Sequence, residues 1–157
     1  MAQVAINGTA INRSTRSNYI SYRYRIYDSE RYFEGYDEDG YPIYSPGYWY
    51  YDDYSNAIIN GAVKCNNKVY ANGVSIAKAG DTVKENWTNS GFKSEYVSGS
   101  ASPGRNGSGN GTIDSNANSN KVFINGSLVA IKGSSVTTHL STKTQLNVPV
   151  ASKVFVG

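Results

Sequence analysis

The sequence predicts an all-β protein of 157 residues, and three observations support this fold class. One sequence pattern occurs twice, at residues 68–83 and 121–136: an alternating apolar run, then Asn-Gly, then a second apolar run. A tyrosine-rich stretch at residues 19–54 alternates with a period of two, which is typical of strands. No segment has the 3.6-residue apolar period that predicts a helix.

The two copies of the repeat share seven residues at a constant offset. These are Lys68, Val69, Asn72, Gly73, Ala77, Gly80 and Val83 in the first copy, and Lys121, Val122, Asn125, Gly126, Ala130, Gly133 and Val136 in the second. Asn-Gly is the strongest short-range hairpin signal, because a two-residue type I′ turn needs positive φ at both central positions. We therefore expect structural turns at Asn72-Gly73 and Asn125-Gly126.

Partial versions of the repeat extend over the rest of the chain. Residues 4–11 and 57–63 each contain an apolar run with an Asn-Gly pair, and residues 153–157 contain a third beginning of the repeat, here as Lys-Val-Phe. A single hairpin cannot bury its one apolar face alone. The repetition therefore predicts stacked or symmetric β structure.

The length of the chain favours a single domain that spans residues 1–157. The net charge is only +3, but residues 19–54 hold three basic and eight acidic side chains, so the rest of the chain is basic. A basic body can attract nucleic acid, but these lysines are scattered along the repeats. We interpret them as a solvated face and expect no nucleic-acid partner.

Without a signal-peptide pattern or a membrane-spanning apolar run, the protein is expected to be made in the cytoplasm.

Residues 19–54 form a tyrosine-rich insertion with 12 of the 14 tyrosines of the chain. Asp39-Gly40 and Pro46-Gly47 are turn signals, so we expect one or two hairpins. Two interpretations remain open. The rings cover the flank of the protein's own β body, or they form a binding face for proteins or sugars, because tyrosine is enriched in such faces. The candidate binding residues are Tyr44, Tyr48, Trp49, Tyr50 and Tyr51.

Residues 97–120 are rich in Gly, Ser and Asn and predict a flexible surface loop. Their glycines have neither the spacing nor the flanking elements of a phosphate-binding loop. The carboxylates of Asp37, Glu38 and Asp39 run straight into Gly40, which indicates a polar hairpin tip rather than a glycosidase pair or a calcium loop. We therefore expect a protein that is not an enzyme.

Metal-binding residue types are scarce. Cys65 is the only cysteine and His139 the only histidine, which excludes an intrachain disulfide and the common Cys₄ and Cys₂His₂ zinc sites. His139 follows the second repeat, where it is interpreted either as a surface residue or as a metal ligand.

Residues 111–139, with the later Lys-Val-Phe-Val at 153–156, resemble the PAAR and PAAR-like spike-tip proteins. The first copy keeps the Gly-Asp pair of that family as Gly80-Asp81, whereas the second copy has Gly133-Ser134, and the Pro-Ala-Ala-Arg signature itself is missing. The resemblance covers about half of the chain, residues 57–83 and 111–157, and leaves out residues 19–54. It implies a small pointed β-prism or cone with pseudo-threefold repeats, to which the tyrosine-rich hairpin is added.

The resemblance also implies a function. A PAAR-like protein caps the trimeric β-helical spike, or hub, of a contractile phage tail or phage-like injection device, as one copy per trimer. It is a virion baseplate component, a monomer as an isolated chain, and contacts the target envelope transiently during puncture. The family often holds a tip metal, Zn or Fe, for which His139 and, less favourably, Cys65 are the candidates here.

A conventional zinc site is not expected from one histidine and one cysteine. Without a tip metal, packing of the apolar residues Val122, Phe123, Ile124, Val154 and Phe155 is expected to hold the point. The alternative function, from a different class, is a receptor- or glycan-binding virion module that uses the tyrosine-rich hairpins.

Overall fold

The computed structural model describes residues 2–115, 121–147 and 154–156, and the all-β prediction is confirmed for them because every regular element is a strand. None of these residues forms a helix that could cross a membrane. The strands are β1 (Ala2–Gln3), β2 (Ala10–Ile11), β3 (Ser14–Tyr36), β4 (Pro42–Lys64), β5 (Tyr70–Ala71), β6 (Val74–Ser75), β7 (Thr82–Asn89), β8 (Asn106–Ile113), β9 (Phe123–Ile124), β10 (Ser127–Leu128), β11 (Ser135–Thr137), β12 (Lys143–Asn147) and β13 (Phe155–Val156).

The chain divides into two compact units. The repeat unit consists of Met1–Arg16, Ala57–Thr88 and Asn106–Gly157, and the ribbon unit consists of Ser17–Asn56 and Asn89–Arg105. The ribbon unit therefore contains the tyrosine-rich insertion together with a second segment that the sequence did not associate with it. That the two units fold as one domain stays a prediction.

Six strands of the repeat unit close into a β-barrel. The hydrogen-bonded order is β2–β12–β11–β8–β7–β4, and the pairing of Ala10 with Ala62 joins β4 back to β2. Closure pairs each strand on both sides and so protects the edges. The interior side chains are buried, among them Ile59, Val83, Ile113, Val136 and Leu146. Each of these side chains contributes about 1.5–3 kcal/mol through burial.

The repeats meet in a closed cycle of backbone hydrogen bonds, which we call the alanine ring. Ala5 donates to Ala130, Ala130 donates to Ala77, and Ala77 donates back to Ala5, each at 2.9 Å. All three alanines are fully buried. The two sequence copies supply Ala77 and Ala130, so Ala5 identifies a third equivalent repeat.

Each repeat continues from its alanine into the same turn. The glycine of each turn has a positive φ: 90° at Gly8, 90° at Gly80 and 86° at Gly133. A side-chain oxygen after the glycine then accepts the backbone N–H group three residues earlier: Ile6 donates to Thr9, Lys78 donates to Asp81 and Ile131 donates to Ser134. Ser134 therefore performs the same local task as Asp81, which explains why the Gly-Asp pair can vary between copies.

The third repeat is assembled from the two ends of the chain. Strand β1 pairs with β13 through Ala2–Val156 and Gln3–Phe155, and Val4 donates to the carbonyl of Val154. In the other repeats, Ile76 donates to Val69 and Val129 donates to Val122 in the same way. Residues 4–11 and the beginning at residues 153–157 therefore belong to one repeat, although Lys153 and Gly157 lie outside the described residues.

The expectation of a flexible loop at residues 97–120 is wrong for residues 106–113, because they form β8. Three inward positions of this strand are Gly107, Gly109 and Gly111, where a Cβ atom would collide with Trp87, His139 and Glu85 respectively. The glycines therefore make room for large side chains inside the barrel. Residues 116–120 of the expected loop lie outside the described residues.

The tyrosine-rich insertion forms one long hairpin, in which β3 pairs with β4. Its tip is at Asp37–Gly40, where Asp37 Oδ1 accepts the N–H groups of Asp39 and Tyr41 and Gly40 has a φ of 81°. The turn expected at Pro46-Gly47 is wrong, because both residues lie within β4. A Cβ atom at Gly47 would collide with the Arg31 and Tyr32 side chains, so glycine is needed there for packing. The Asn60-Gly61 pair also lies within β4 and makes no turn.

Candidate docking surface

One end of the repeat unit consists of three short strand pairs. Strands β5 and β6 are joined through Asn72 and Gly73, with φ of 51° and 78°, and β9 and β10 through Asn125 and Gly126, with φ of 49° and 80°. Positive φ at both central residues is the geometry of a type I′ turn. The third pair is β1–β13, at the equivalent position of the third repeat.

These strand pairs expose apolar side chains at equivalent positions. We call Val69, Val122, Val154, Tyr70, Phe123 and Phe155 the apolar end. Phe123 and Tyr70 are each 58% exposed and Phe155 is 47% exposed, whereas Val154 is half-buried. Contiguous exposed apolar groups usually mark a surface that contacts a partner.

A core of the same repeated positions lies beneath the apolar end. Its buried residues are Val4, Ala71, Ile76, Ile124 and Val129, against which Ile6, Val154 and Val156 pack. Val4, Ile76 and Val129 come from three different repeats, as do Val69, Val122 and Val154, and all six line an open apolar pocket of about 410 Å³. The apolar end therefore surrounds a hollow whose wall has equivalent side chains from three repeats.

The expectation that Val122, Phe123, Ile124, Val154 and Phe155 all pack together to hold a point is wrong. Ile124 is buried in the core, but Phe123 and Phe155 are exposed and Val122 is 41% exposed. An exposed phenylalanine contributes little to the free energy of folding of its own chain. These residues are better suited to contact another molecule.

His139 lies inside the barrel beside Glu85. The carboxylate oxygen Oε1 of Glu85 accepts the backbone N–H of His139 at 2.7 Å and is 2.5 Å from the ring nitrogen Nδ1. The Glu85 side chain is fully buried and that of His139 is 14% exposed. Among the described residues, neither Oε2 of Glu85 nor Nε2 of His139 has a hydrogen-bond partner. The surface interpretation of His139 is therefore wrong.

Cys65 lies in a different environment from His139. Its backbone N–H donates to Oδ1 of Asn7, and its Sγ is 3.7 Å from the carbonyl oxygen and from Oγ of Ser75. Burial raises the pKa of the Cys65 thiol. Over the described ranges, no three His, Cys, Asp or Glu side chains come together as a metal site requires. A tip metal at His139 or Cys65 stays a prediction.

The five candidate binding residues of β4 do not share one face. Side chains alternate along a strand, so Tyr48 and Tyr50 point to one side and Trp49 and Tyr51 to the other. Tyr48 contacts Arg25 and Tyr27, whereas Tyr51 stacks on Tyr24 with 5.5 Å between ring centroids. Arg31 lies 3.6 Å above the Trp49 ring. Tyr44 contacts Phe33 nearer the hairpin tip.

Of the two interpretations of the tyrosines, burial against the protein's own residues describes Tyr22, whose contact lies within the ribbon unit, and does not describe the exposed tyrosines of the insertion. Tyr22 is 4% exposed and packs on Phe92 at 4.6 Å between ring centroids. The tyrosines of the insertion that are between 43% and 69% exposed are Tyr27, Tyr32, Tyr36, Tyr41, Tyr44, Tyr50, Tyr51 and Tyr54. The exposed rings remain available for a ligand or partner.

Two features of these sites escaped the sequence reasoning. Glu85 received no role, although it lies between Val83 and Trp87 in a period-two pattern that places all three inside the barrel. The alternation of Gly107, Gly109 and Gly111 was a second signal, because glycine at every second position marks one face of a strand.

Comparisons with known proteins identified no relative of this chain. No protein-family model, no curated protein and no solved structure matches it.

Proposed function

We propose that this protein is a non-enzymatic structural tip that caps a trimeric β-helical spike. The spike would belong to a contractile phage tail or a phage-like injection device, and the tip would help to puncture the target envelope. The observation that carries the proposal is the apolar end, in which three repeats present Val69, Val122 and Val154 around one hollow.

The match of symmetry is the physical argument for this partner. A trimer presents each surface group three times around its axis, and a monomer with three similar repeats can contact all three subunits at once. The alanine ring supplies such a repeat within one chain. One copy per trimer therefore satisfies the interface, and it also covers the strand edges at the end of the spike.

The chemistry of the apolar end favours a stable contact. Phe123 lines the hollow, while Tyr70 and Phe155 directly follow Val69 and Val154 of its wall, and all three aromatic rings are about half exposed. Burial of such rings dominates the energetics of protein interfaces, whereas the polar turns around them would form the rim. The resemblance to PAAR-like proteins agrees with this arrangement, and under it the repeat unit is a pointed cone that docks by this end.

The proposal extends to where the protein occurs and to its partners. It is a virion protein of the tail baseplate spike, made in the host cytoplasm, monomeric when isolated, and without a nucleic-acid partner. Its mechanism is mechanical, because a closed barrel with paired strands can transmit force without exposing an edge.

The test is co-expression with a candidate trimeric spike protein, followed by mass measurement of the purified complex. We expect one copy per trimer for the wild type and at least a tenfold loss of affinity for Phe123→Asp, since a charge would be buried in the interface. Phe33→Asp is the matched control, because Phe33 is 55% exposed in the ribbon unit and Phe123 is 58% exposed.

Three results would contradict the capping model. They are the absence of a complex, three copies per trimer, and equal losses of affinity for the two variants. Circular dichroism of each variant would show that its β structure is intact, so that a lost complex can be assigned to the interface.

A further inference from the structure

The ribbon unit contains a polar pocket of about 520 Å³. It lies between β3, β4 and residues 97–100, and its lining includes Arg23, Asp52, Asp53, Tyr54 and Ser98. Its volume is in the range of sites that hold small molecules. None of its lining residues belongs to the apolar end, which is part of the repeat unit.

Two charged side chains offer hydrogen-bonding groups at this pocket. Nε of Arg23 donates to Oδ1 of Asp52 at 3.3 Å, and the two side chains are 55% and 76% exposed. In the described part of the chain, Oδ2 of Asp52 and the terminal guanidinium nitrogens of Arg23 make no other hydrogen bond. An acceptor and donors therefore lie side by side, which suits a ligand that both donates and accepts at neighbouring atoms.

The wall behind this pair is held in place. Asp53 is 2.9 Å from Nζ of Lys93 and accepts the backbone N–H of Tyr54 at 2.8 Å. The hydrogen bond from Lys93 and that from the Tyr54 backbone lower the pKa of Asp53, so its carboxylate stays charged at neutral pH. Ser100 accepts the N–H of Arg23 at 3.0 Å and donates to the carbonyl of Val97 at 2.6 Å. A preformed wall lowers the entropic cost of binding.

An aromatic ring adds an apolar component beside these polar groups. Tyr54 lines the pocket and is 61% exposed, and because it lies two residues from Asp52 on β4, both side chains point to the same side of the strand. The apolar face of a pyranose ring can stack on such a ring while its hydroxyl groups reach the charged pair. Tyrosine serves binding sites well because it offers a large contact area with few rotatable bonds.

Charge selects among the small molecules that fit this description. Residues 19–54 carry eight acidic and three basic side chains, so the surroundings repel anions. Both carboxylates of the pocket already pair with a cationic side chain: Asp52 pairs with Arg23 and Asp53 pairs with Lys93. These pairs disfavour the binding of a cationic ligand. A neutral molecule with adjacent hydroxyl groups remains.

We propose that this pocket binds a neutral saccharide, with Asp52 and Arg23 hydrogen-bonded to adjacent hydroxyl groups and Tyr54 in contact with the sugar ring. Saccharide binding would be an additional function. It does not depend on the capping function, because the pocket and the apolar end share no residue. Such a site would let the protein contact polysaccharide at the surface of its target.

The test is a titration of the isotope-labelled full chain, monitored by the NMR shifts of its backbone amides. The probes are maltotriose and triacetylchitotriose as neutral sugars and sialyllactose as an anionic sugar. At least one neutral probe should shift the amides of Arg23, Asp53, Ser98 and Gly99, with a dissociation constant on the order of 1 mM. Raising the salt concentration should leave this constant unchanged, since no net charge is bound.

Asp52→Ala should weaken binding of the neutral probe about tenfold, because a hydrogen bond to a charged group is lost. Asp52 is largely exposed, so the variant should stay folded. Glu38→Ala is the matched control, because it removes the same charge at the hairpin tip and should leave the affinity unchanged.

The proposal is overturned if neither neutral probe shifts the pocket amides, or if Asp52→Ala and Glu38→Ala bind equally well. Stronger binding of sialyllactose would indicate an anion site, and shifts that grow with protein concentration alone would indicate a second copy of the chain; either would also overturn it. Asp52→Ala should still cap the spike trimer, so failure here is distinguishable from failure of the capping model.

Discussion

The two units of this protein are held together by different chemistry. The repeat unit buries aliphatic side chains in a closed barrel, and its largest exposed apolar groups lie at the apolar end. The ribbon unit is built on a two-stranded hairpin whose aromatic rings are exposed over most of its length, where they contact one another and the guanidinium groups of Arg25 and Arg31. An isolated two-stranded hairpin is marginally stable in water.

The comparison teaches where each unit can tolerate change. Inside the barrel every position is enclosed, so the loss or addition of a few atoms affects several neighbours. On the ribbon, most side chains have free space on one side. Substitutions inside the repeat unit should therefore lower the free energy of unfolding, whereas substitutions on the ribbon should mainly change binding.

The largest effect is expected for His139→Ala. This change removes the ring nitrogen that lies 2.5 Å from Oε1 of the fully buried Glu85 side chain and leaves a cavity beside it, and the lost hydrogen bond and the cavity together cost about 3–5 kcal/mol. Urea unfolding measures the loss. Lys143→Ala is the control, because Lys143 pairs with Asp114 while 68% exposed, and this change should cost less than about 1 kcal/mol. Equal costs for the two variants would contradict the role given to the buried pair.

Gly109→Ala should have a smaller but clear effect. The new methyl group meets the ring of His139, and overpacking of this kind costs about 1–3 kcal/mol. Ser108→Ala, on the exposed face of the same strand, should change the unfolding free energy by less than about 0.5 kcal/mol. If both substitutions are neutral in thermal and urea unfolding, the glycines of β8 are not required for packing.

The smallest effect is expected on the pH dependence of the unfolding free energy. It can be compared between one carboxylate of the repeat unit, Asp114, and one of the ribbon unit, Asp53. Burial raises the pKa of Asp114, but hydrogen bonds from Thr137, Ser135 and Lys143 outweigh burial and lower it. The pKa of Asp53 is lowered by Lys93 and the Tyr54 backbone. A lowered folded-state pKa stabilises the protein above the unfolded value, near 3.9, and this stabilisation is lost as pH falls through the folded pKa.

Asp114→Asn and Asp53→Asn should therefore flatten the acid limb of the stability profile. The change should be greater for Asp114, because its side chain is 24% exposed and that of Asp53 is 33% exposed. Unfolding free energies measured from neutral pH to about pH 3 check this. A profile that is steeper for either variant than for the wild type would contradict the sign.

The local elements were predictable because their signals are local. Asn72-Gly73 and Asn125-Gly126 need positive φ, which few residue types adopt, and the same reasoning placed the tip of the long hairpin at Asp37–Gly40. The turn predicted at Pro46-Gly47 was wrong, because this glycine lies within β4 and makes room for the Arg31 and Tyr32 side chains. The loop predicted over β8 was wrong as well, because its glycine content suggested a loop although the period of two indicated a strand.

The sequence by itself determined that this protein is all-β and built on a repeated hairpin, because turn geometry and strand alternation depend on neighbouring residues. Only the tertiary structure decided that the two ends of the chain form the third repeat, that Glu85 meets His139, and that Phe123 and Phe155 are exposed. These features join residues far apart in the chain, and no local pattern states which strands will pair. Such pairings follow from closure of the barrel and the alanine ring, which satisfy backbone hydrogen bonds between distant segments.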